Sequence, residues 1–406
     1  MNQVLPYNHV TKFIQYTQSQ RSFIVCFKLG DKPSICENLM QHVDITNLVR
    51  GATFFQHAGT SIVFVFMPII AKSVTNSLFE IGIIVASFSF AQILSEMYFG
   101  RVSDKKGVRL QFIRIGFIGC AITFGLHYFA DDTTLLLLAR IGAGITSGIM
   151  IPAMIAYAYE ARNDKTKVAS IISFHALGWL AGIVAAGIVN DVKIIFLVSS
   201  AFFVIGLLVT IKLPNLISEK ELETGTTKRI ISKNRFLYLS LLMRHIGASA
   251  VWTILPIMLM DVMGAKLYEI SIVYVANTIT AFVIMNLMTG KIKIKNVTKF
   301  KIGIGFTTFV FVGLSFITEW WMAMPFMSLV GATWAFLFIG GNLHLMENNP
   351  RTTSTGIFSS TLSIATVVGP VIAGSIAFAF NYVSVMYFAI AIIVCAFVIS
   401  LKVREK

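Results

Sequence analysis

The strongest constraint on this chain is a run of long apolar blocks separated by short polar breaks. Twelve such blocks follow one another: 46–71, 77–99, 110–130, 133–158, 167–189, 192–213, 236–260, 267–289, 300–318, 320–346, 353–379 and 381–401. Each approaches or exceeds the ~20 apolar residues that a helix needs to cross a hydrocarbon layer. Lipid offers no water to backbone N–H and C=O groups, and a helix satisfies them within the segment. Charged residues make up 13% of the 406, against roughly 25% in soluble domains. The reading is an all-α integral membrane protein with twelve spans, numbered 1 to 12 in the order above.

The net charge of +14 is not a nucleic-acid footprint, because of where it falls. With twelve spans the connections alternate between two sides. The side that carries both termini holds 26 Lys and Arg, whereas the other holds three, Lys72, Lys193 and Lys266. Asp131, Asp132, Asp191, Asp261 and Glu319 lie on that poorly basic side. Basic loops mark the cytoplasmic side, so both termini are expected there, in a multi-pass protein of the cell membrane. Residues 1–45 are mixed and polar and do not resemble a secretory signal; they read as a cytoplasmic leader, within which Met40 offers a second start. The four cysteines show neither CxxC nor metal-ligand spacing, so no disulfide framework, metal site or cofactor is expected.

The second half of the chain repeats the first at an offset of 187–189 residues. "QHAGTSIVFVFMP" (56–68) faces "RHIGASAVWTILP" (244–256), pairing His57 with His245, Ser61 with Ser249 and Pro68 with Pro256. "LFEIGI" (78–83) faces "LYEISI" (267–272). Further on, Glu160 meets Glu347, Gly182 meets Gly369 and Gly187 meets Gly374. The expected organisation is a bundle of six spans (46–213), a flexible connection (214–235), a second bundle of six (236–401) and a tail (402–406). Parallel repeats of this kind are related by an axis along the membrane normal, and bind solute between the halves near mid-membrane.

The stretch "FGRVSDKKGVR" (99–109) links spans 2 and 3. It resembles the pattern G-x-x-x-D-(R/K)-x-G-(R/K)-(R/K) of major facilitator superfamily transporters, with Gly100, Asp104, Lys105, Gly107 and Arg109 in register and Val108 breaking the basic pair. "RIGAGITSGIMIP" in span 4 is similar to the same family's R-x-x-x-G-x-G pattern. The antiporter pattern G-P-x-x-G-G is only partly present: "GIVAAG" in span 5 lacks the proline, and "GPVIAG" in span 11 keeps it. The resemblance covers residues 46 to 401 and implies alternating access by rocking of two bundles. Gly100 is expected to end span 2 and Gly107 to open the entry to span 3. A carboxylate is favoured at a helix N-terminus. In the resemblance, Asp104 docks on the head of span 11, around 352–355, and Arg109 pairs with Glu160, which makes the turn a conformational latch.

Polar residues within the spans suggest a cavity. Glu96 and Arg114 lie at similar depth on neighbouring spans, which predicts a structural ion pair. Arg50 lies close enough to an end to snorkel. Arg140 and Arg244 are deep, and an ionisable residue at such depth is a functional candidate. The resemblance implies that spans 1, 4, 7 and 10 line the cavity. His57 and Ser61 share a stripe on span 1, His245 repeats it on span 7, and His175 and His344 lie toward the inner ends of spans 5 and 10. Histidine, with an ordinary pKa near ~6.5, is suited to carry a coupling proton. Arginines and histidines without a spare acid favour a small organic anion, with H⁺ as the coupling ion and the protein as a monomer in the bilayer. The alternative is a broad-specificity drug/proton antiporter, which the 17 Met and 34 Phe also suit. The chain has no HExxH, GxSxG or P-loop, so an enzyme is not expected and ATP is not the direct energy source.

Overall fold

The computed structural model describes residues 45–161, 165–216, 226–288, 294–349 and 351–404, with the backbone alone at 104–105, 159–161, 165–173, 226, 348, 351–353 and 355. Among the described residues ten helices are long and apolar enough to cross a membrane, and an eleventh span is the bent pair Ile45–Phe64 and Met67–Val74. The helix Lys165–Val189, apolar from Phe174 onward, completes the twelve.

Span 1 breaks where Pro68 enters the first turn of its second piece, and the axis turns by 41°. A proline has no N–H to give to the preceding turn. Span 2 is Leu78–Lys106, capped at its start by the Ser77 hydroxyl, which accepts from the Glu80 N–H. Spans 3 and 4 are Arg109–Leu126 and Thr133–Ala161, and span 6 is Ile194–Ile211. Asp191 Oδ1 accepts from the backbone N–H groups of Lys193 and Ile194 at the entry to span 6. Spans 7 to 12 are Arg235–Asp261, Leu267–Met288, Asn296–Leu314, Ala323–Asn348, Arg351–Ala379 and Tyr382–Ser400. Span 7 holds Pro256, the repeat partner of Pro68, yet runs unbroken. The connection before it was expected to be flexible, but part of it, Thr226–Lys233, is a two-turn helix anchored by buried Ile230.

The packing pattern is itself a repeat. Span 1 packs on spans 5 and 6, span 2 on 4, span 3 on 4 and 6. Six spans later, 7 packs on 11 and 12, 8 on 10, and 9 on 10 and 12. The two halves meet through spans 2 and 11 and through 5 and 8, two contacts that exchange under the same half-turn. This is the all-α membrane fold of two six-span bundles.

Matched residues do matched work. Gly182 in span 5 lies against Ala58 O and Ser61 of span 1, and Gly369 in span 11 lies against Ile246 O and Ser249 of span 7. A side chain at either position would hold the helices apart. Gly374 in span 11 abuts Leu78 O and Gly82 of span 2, and Gly187 in span 5 abuts Ser271 of span 8. These last contacts join the halves near the membrane face opposite the chain ends. Lys72 and Asp261 form an ion pair across the halves at the same face, and Tyr382 Oη donates to Asp261 at 2.8 Å.

Candidate solute cavity between the two halves

Between the halves lies a cavity of about 350 Å³ lined by residues of both. From the first half, His57 and His175 stack at its wall, with ring centroids 3.8 Å apart and 7° between planes. Trp179 lies one turn beyond His175. Gln92 reaches the cavity from span 2. From the second half, His245 stacks on Trp334 at 5.5 Å. Arg244, 1% exposed, places its guanidinium 5.7 Å from the same indole. Its Nε and Nη2 donate to Thr307 Oγ1 at 3.4 and 3.3 Å.

Buried polar atoms are nearly always paired, so each exception calls for an account, a bound water or ligand among them. Three of the few exceptions here line this cavity: Trp179 Nε1, His245 Nδ1 and Tyr274 Oη. The indole N–H can only donate and the phenol can donate. Together with Arg244 they form a set rich in donors on a mostly apolar wall.

His57, His175, Arg244 and His245 therefore meet around one space. Other residues expected there lie elsewhere. Arg140 is buried but outside the lining: Nε and Nη2 donate to Ile84 O and Val85 O at 3.5 and 3.2 Å, and the guanidinium covers Phe88 at 4.6 Å. The ring of Phe88, which does line the cavity, screens it. Ser61 is a packing residue, with Oγ bonded to Ala58 O and Trp179 O beside Gly182. His344 lines a separate pocket at the face carrying the chain ends. Arg50 donates to Asn47 Oδ1 at 2.8 Å and covers Phe174.

The Glu96–Arg114 ion pair does not form. Glu96 accepts from Gln92 Nε2 at 2.7 Å, one turn back on its own helix. Arg114 instead donates to Thr210 O and Ile211 O, the carbonyls that end span 6, at 2.9 and 3.3 Å. A helix C-terminus offers bare carbonyls and partial negative charge, which satisfies a cation as a carboxylate would.

Gly100 does not end span 2. The helix continues through Asp104 and Lys105 to Lys106, and Gly100 packs against Pro152 of span 4. The stop is Gly107, whose φ of 66° is left-handed and whose N–H donates to Ser103 O. That conformation costs a residue with Cβ and not a glycine. Arg109 is buried and donates to Ser103 Oγ at 3.1 Å. The side chains of Asp104, Lys105, Glu160 and 351–353 lie outside the described residues, and so does the docking expected of them.

Sequence reasoning missed Trp179, Trp334, Tyr274 and Gln92. One signal was available: three of the five tryptophans, Trp179, Trp252 and Trp334, line the cavity. An indole N–H inside an apolar span needs a partner.

Two interlocked six-span halves with a shared cavity, partly polar and set at their junction, define a solute transporter of the two-bundle kind. The model of the Major Facilitator Superfamily matches residues 51–354, and the chain belongs to that superfamily. Solved structures agree in fold. The nucleoside transporter NupG superposes with a TM-score of 0.71 at 14% identity, covering 89% of this chain and 100% of that one. The human organic anion transporter MFSD10 (TETRAN) gives 0.70 at 13%, covering 88% and 98%. A bacterial homologue of the human lysosomal transporter Spinster, solved inward-facing and occupied, gives 0.69 at 13%, covering 92% and 97%. No curated protein sequence matches the chain.

Proposed function

We propose that this transporter moves a small organic anion, coupled to protons, through the cavity between its halves. The observation that carries the reading is the donor set: Arg244, with unpartnered Trp179 Nε1 and Tyr274 Oη, and no Asp or Glu among the lining residues. A buried guanidinium prefers planar, bidentate acceptors such as a carboxylate. The stacked His57–His175 pair is the candidate proton carrier, since a proton on either ring adds positive charge to the wall that faces the solute. One structural neighbour, the human organic anion transporter MFSD10, is in keeping with this class.

The halves rock about the solute, with Asp104 as the latch. Its backbone lies in the last turn of span 2, on the face where span 11 begins at Arg351. A carboxylate seated on that helix head is worth about 0.3–2 kcal/mol, enough to bias two conformers without locking them. Asp104→Asn should leave insertion intact and remove most transport. The protein acts as a monomer in the cell membrane with both termini in the cytoplasm; the basic charge of the loops on that side supports the orientation.

Proteoliposomes with and without a pH gradient, given organic anions and hydrophobic cations, test the reading. Anion uptake accelerated by an acid exterior supports it. Cation accumulation driven by proton efflux supports the second reading, a drug exporter. That reading has one observation in its favour: Glu96 is tied to Gln92, so a carboxyl group stands just behind the cavity wall.

A further inference from the structure

The solute cavity is walled by rings. Seven of its 27 lining residues are Phe, Trp or Tyr, about twice the 12% share of such residues in the whole chain. Six of the seven stand in three neighbouring pairs. Phe64 and Trp179, in the first half, meet edge to face with centroids 5.4 Å apart. In the second half Trp252 and Tyr274 lie 6.0 Å apart, and Trp334 and Phe338 5.2 Å apart. Aromatic side chains that serve only to pack a core fill its volume. These border a hollow, and a ring face without a neighbour forfeits the dispersion contacts it would otherwise make. A flat ring on the solute supplies those contacts, in the offset or edge-on geometry that aromatic pairs prefer.

Polar atoms shape the rest of the solute. Arg244 lines the second-half wall with its guanidinium 5.7 Å from the Trp334 ring centre, so a carboxylate bound there lies next to rings. On the first-half wall, Trp179 Nε1 is buried with no partner among the described residues, and an indole N–H can only donate. Such walls suit a solute with its charge at one end and a neutral acceptor at the other. The cavity, at about 350 Å³, is near the lower end of the ~300–1,000 Å³ usual for ligand sites, which suits one or two rings.

We propose that the solute is an aromatic carboxylate of one or two rings, its carboxylate on Arg244, its ring among the side chains of Trp179, Trp252 and Trp334, and a ring-borne oxygen accepting from Trp179 Nε1. This class presupposes the small-anion reading and narrows it: Arg244 admits anions, and the rings choose among them.

The test is isothermal titration calorimetry of the full-length protein in detergent at neutral pH, where free carboxylates are ionised. The probes are benzoate, cyclohexanecarboxylate, 4-hydroxybenzoate and tetraphenylphosphonium. Benzoate should bind roughly tenfold tighter than cyclohexanecarboxylate, as two ring contacts would give. The saturated ring is the more apolar of the two, so burial alone would reverse that order. 4-Hydroxybenzoate should gain roughly a further two- to tenfold from one hydrogen bond. Trp179→Phe, which keeps a ring, should erase that gain and retain the preference for benzoate. Arg244→Gln should weaken all three carboxylates alike, by about tenfold or more, as the loss of a charged donor implies. Both variants are compared with the parent by ligand-free melting temperature, and the ranking of probes on the parent protein needs neither of them. Equal affinity for benzoate and cyclohexanecarboxylate overturns the aromatic class and leaves the small-anion reading standing. Binding of tetraphenylphosphonium with none of the carboxylates overturns both. A hydroxybenzoate gain that survives in Trp179→Phe overturns the bond to Trp179 Nε1.

Discussion

Adding one carbon to Gly374 tests how the halves close on the face away from the chain ends. A Cβ built there falls 2.5 Å from Leu78 O, 3.2 Å from Phe79 Cα and 3.3 Å from Gly82 Cα. All three are backbone atoms, so no side chain can swing aside, and spans 2 and 11 must separate by several tenths of an ångström. Overpacking of this kind costs about 1–3 kcal/mol. The cost falls only on the conformer in which the two spans touch. The intrinsic gain of Ala over Gly in a helix, up to ~1 kcal/mol, applies to both conformers and cancels. A bias of about 1–3 kcal/mol is a population change of roughly 5- to 150-fold. The assay is the reactivity of a cysteine placed at Thr366, a cavity-lining position, toward a membrane-impermeant thiol reagent added from that face. Cys395, which is exposed, is replaced first. Gly374→Ala should accelerate labelling within that range. Gly356→Ala is the control, since a Cβ there meets nothing within 4 Å. Equal labelling in Gly374→Ala and its parent, with normal transport, would refute the idea that this contact seals the face.

Other outcomes follow from the same geometry. Arg244→Gln should cut kcat/KM for an anionic solute by at least tenfold while leaving insertion normal, because Arg244 is the one Lys or Arg among the lining residues; Thr307→Ala, which removes just its support, should cost less. Arg140→Gln should lower the melting temperature through a loss of ~1.5–3 kcal/mol, as when hydrogen bonds from a charged donor are removed, and leave KM unchanged, because Phe88 stands between it and the cavity. Asp191→Ala should destabilise by about 0.5–2 kcal/mol, as lost caps do, read from chemical denaturation. The N–H groups of Ile194 and Lys193 hold the Asp191 carboxyl below its ordinary pKa. Its contribution is therefore complete above the ordinary carboxylate pKa and disappears as pH falls through the lowered one, so the difference between Asp191→Ala and parent should be flat from neutral pH down to about 5.

The spans were legible because lipid leaves a chain few options and demands length. The two-fold was legible because matched positions meet matched neighbours: Ser61 beside Gly182, Ser249 beside Gly369. What the letters could not show was rotation about each helix. Arg140 and Arg244 look alike as deep, isolated arginines, yet one turns toward span 2 carbonyls and the other lines the cavity between the halves. Glu96 and Arg114 share a depth without sharing a direction. The charged stretch after Phe99 looked like a loop, but charge at a membrane surface does not stop a helix. Only the left-handed glycine at 107 does.

The aligned prolines Pro68 and Pro256 have different mechanical outcomes. Span 7 is a single helix from Arg235 to Asp261, whereas span 1 has an elbow between Phe64 and Met67. The short forearm beyond that elbow carries Lys72 to its grip on Asp261. Twin halves of one repeated plan thus differ at this point: one supplies an unbroken helix, the other an elbowed arm whose far piece reaches across to its twin.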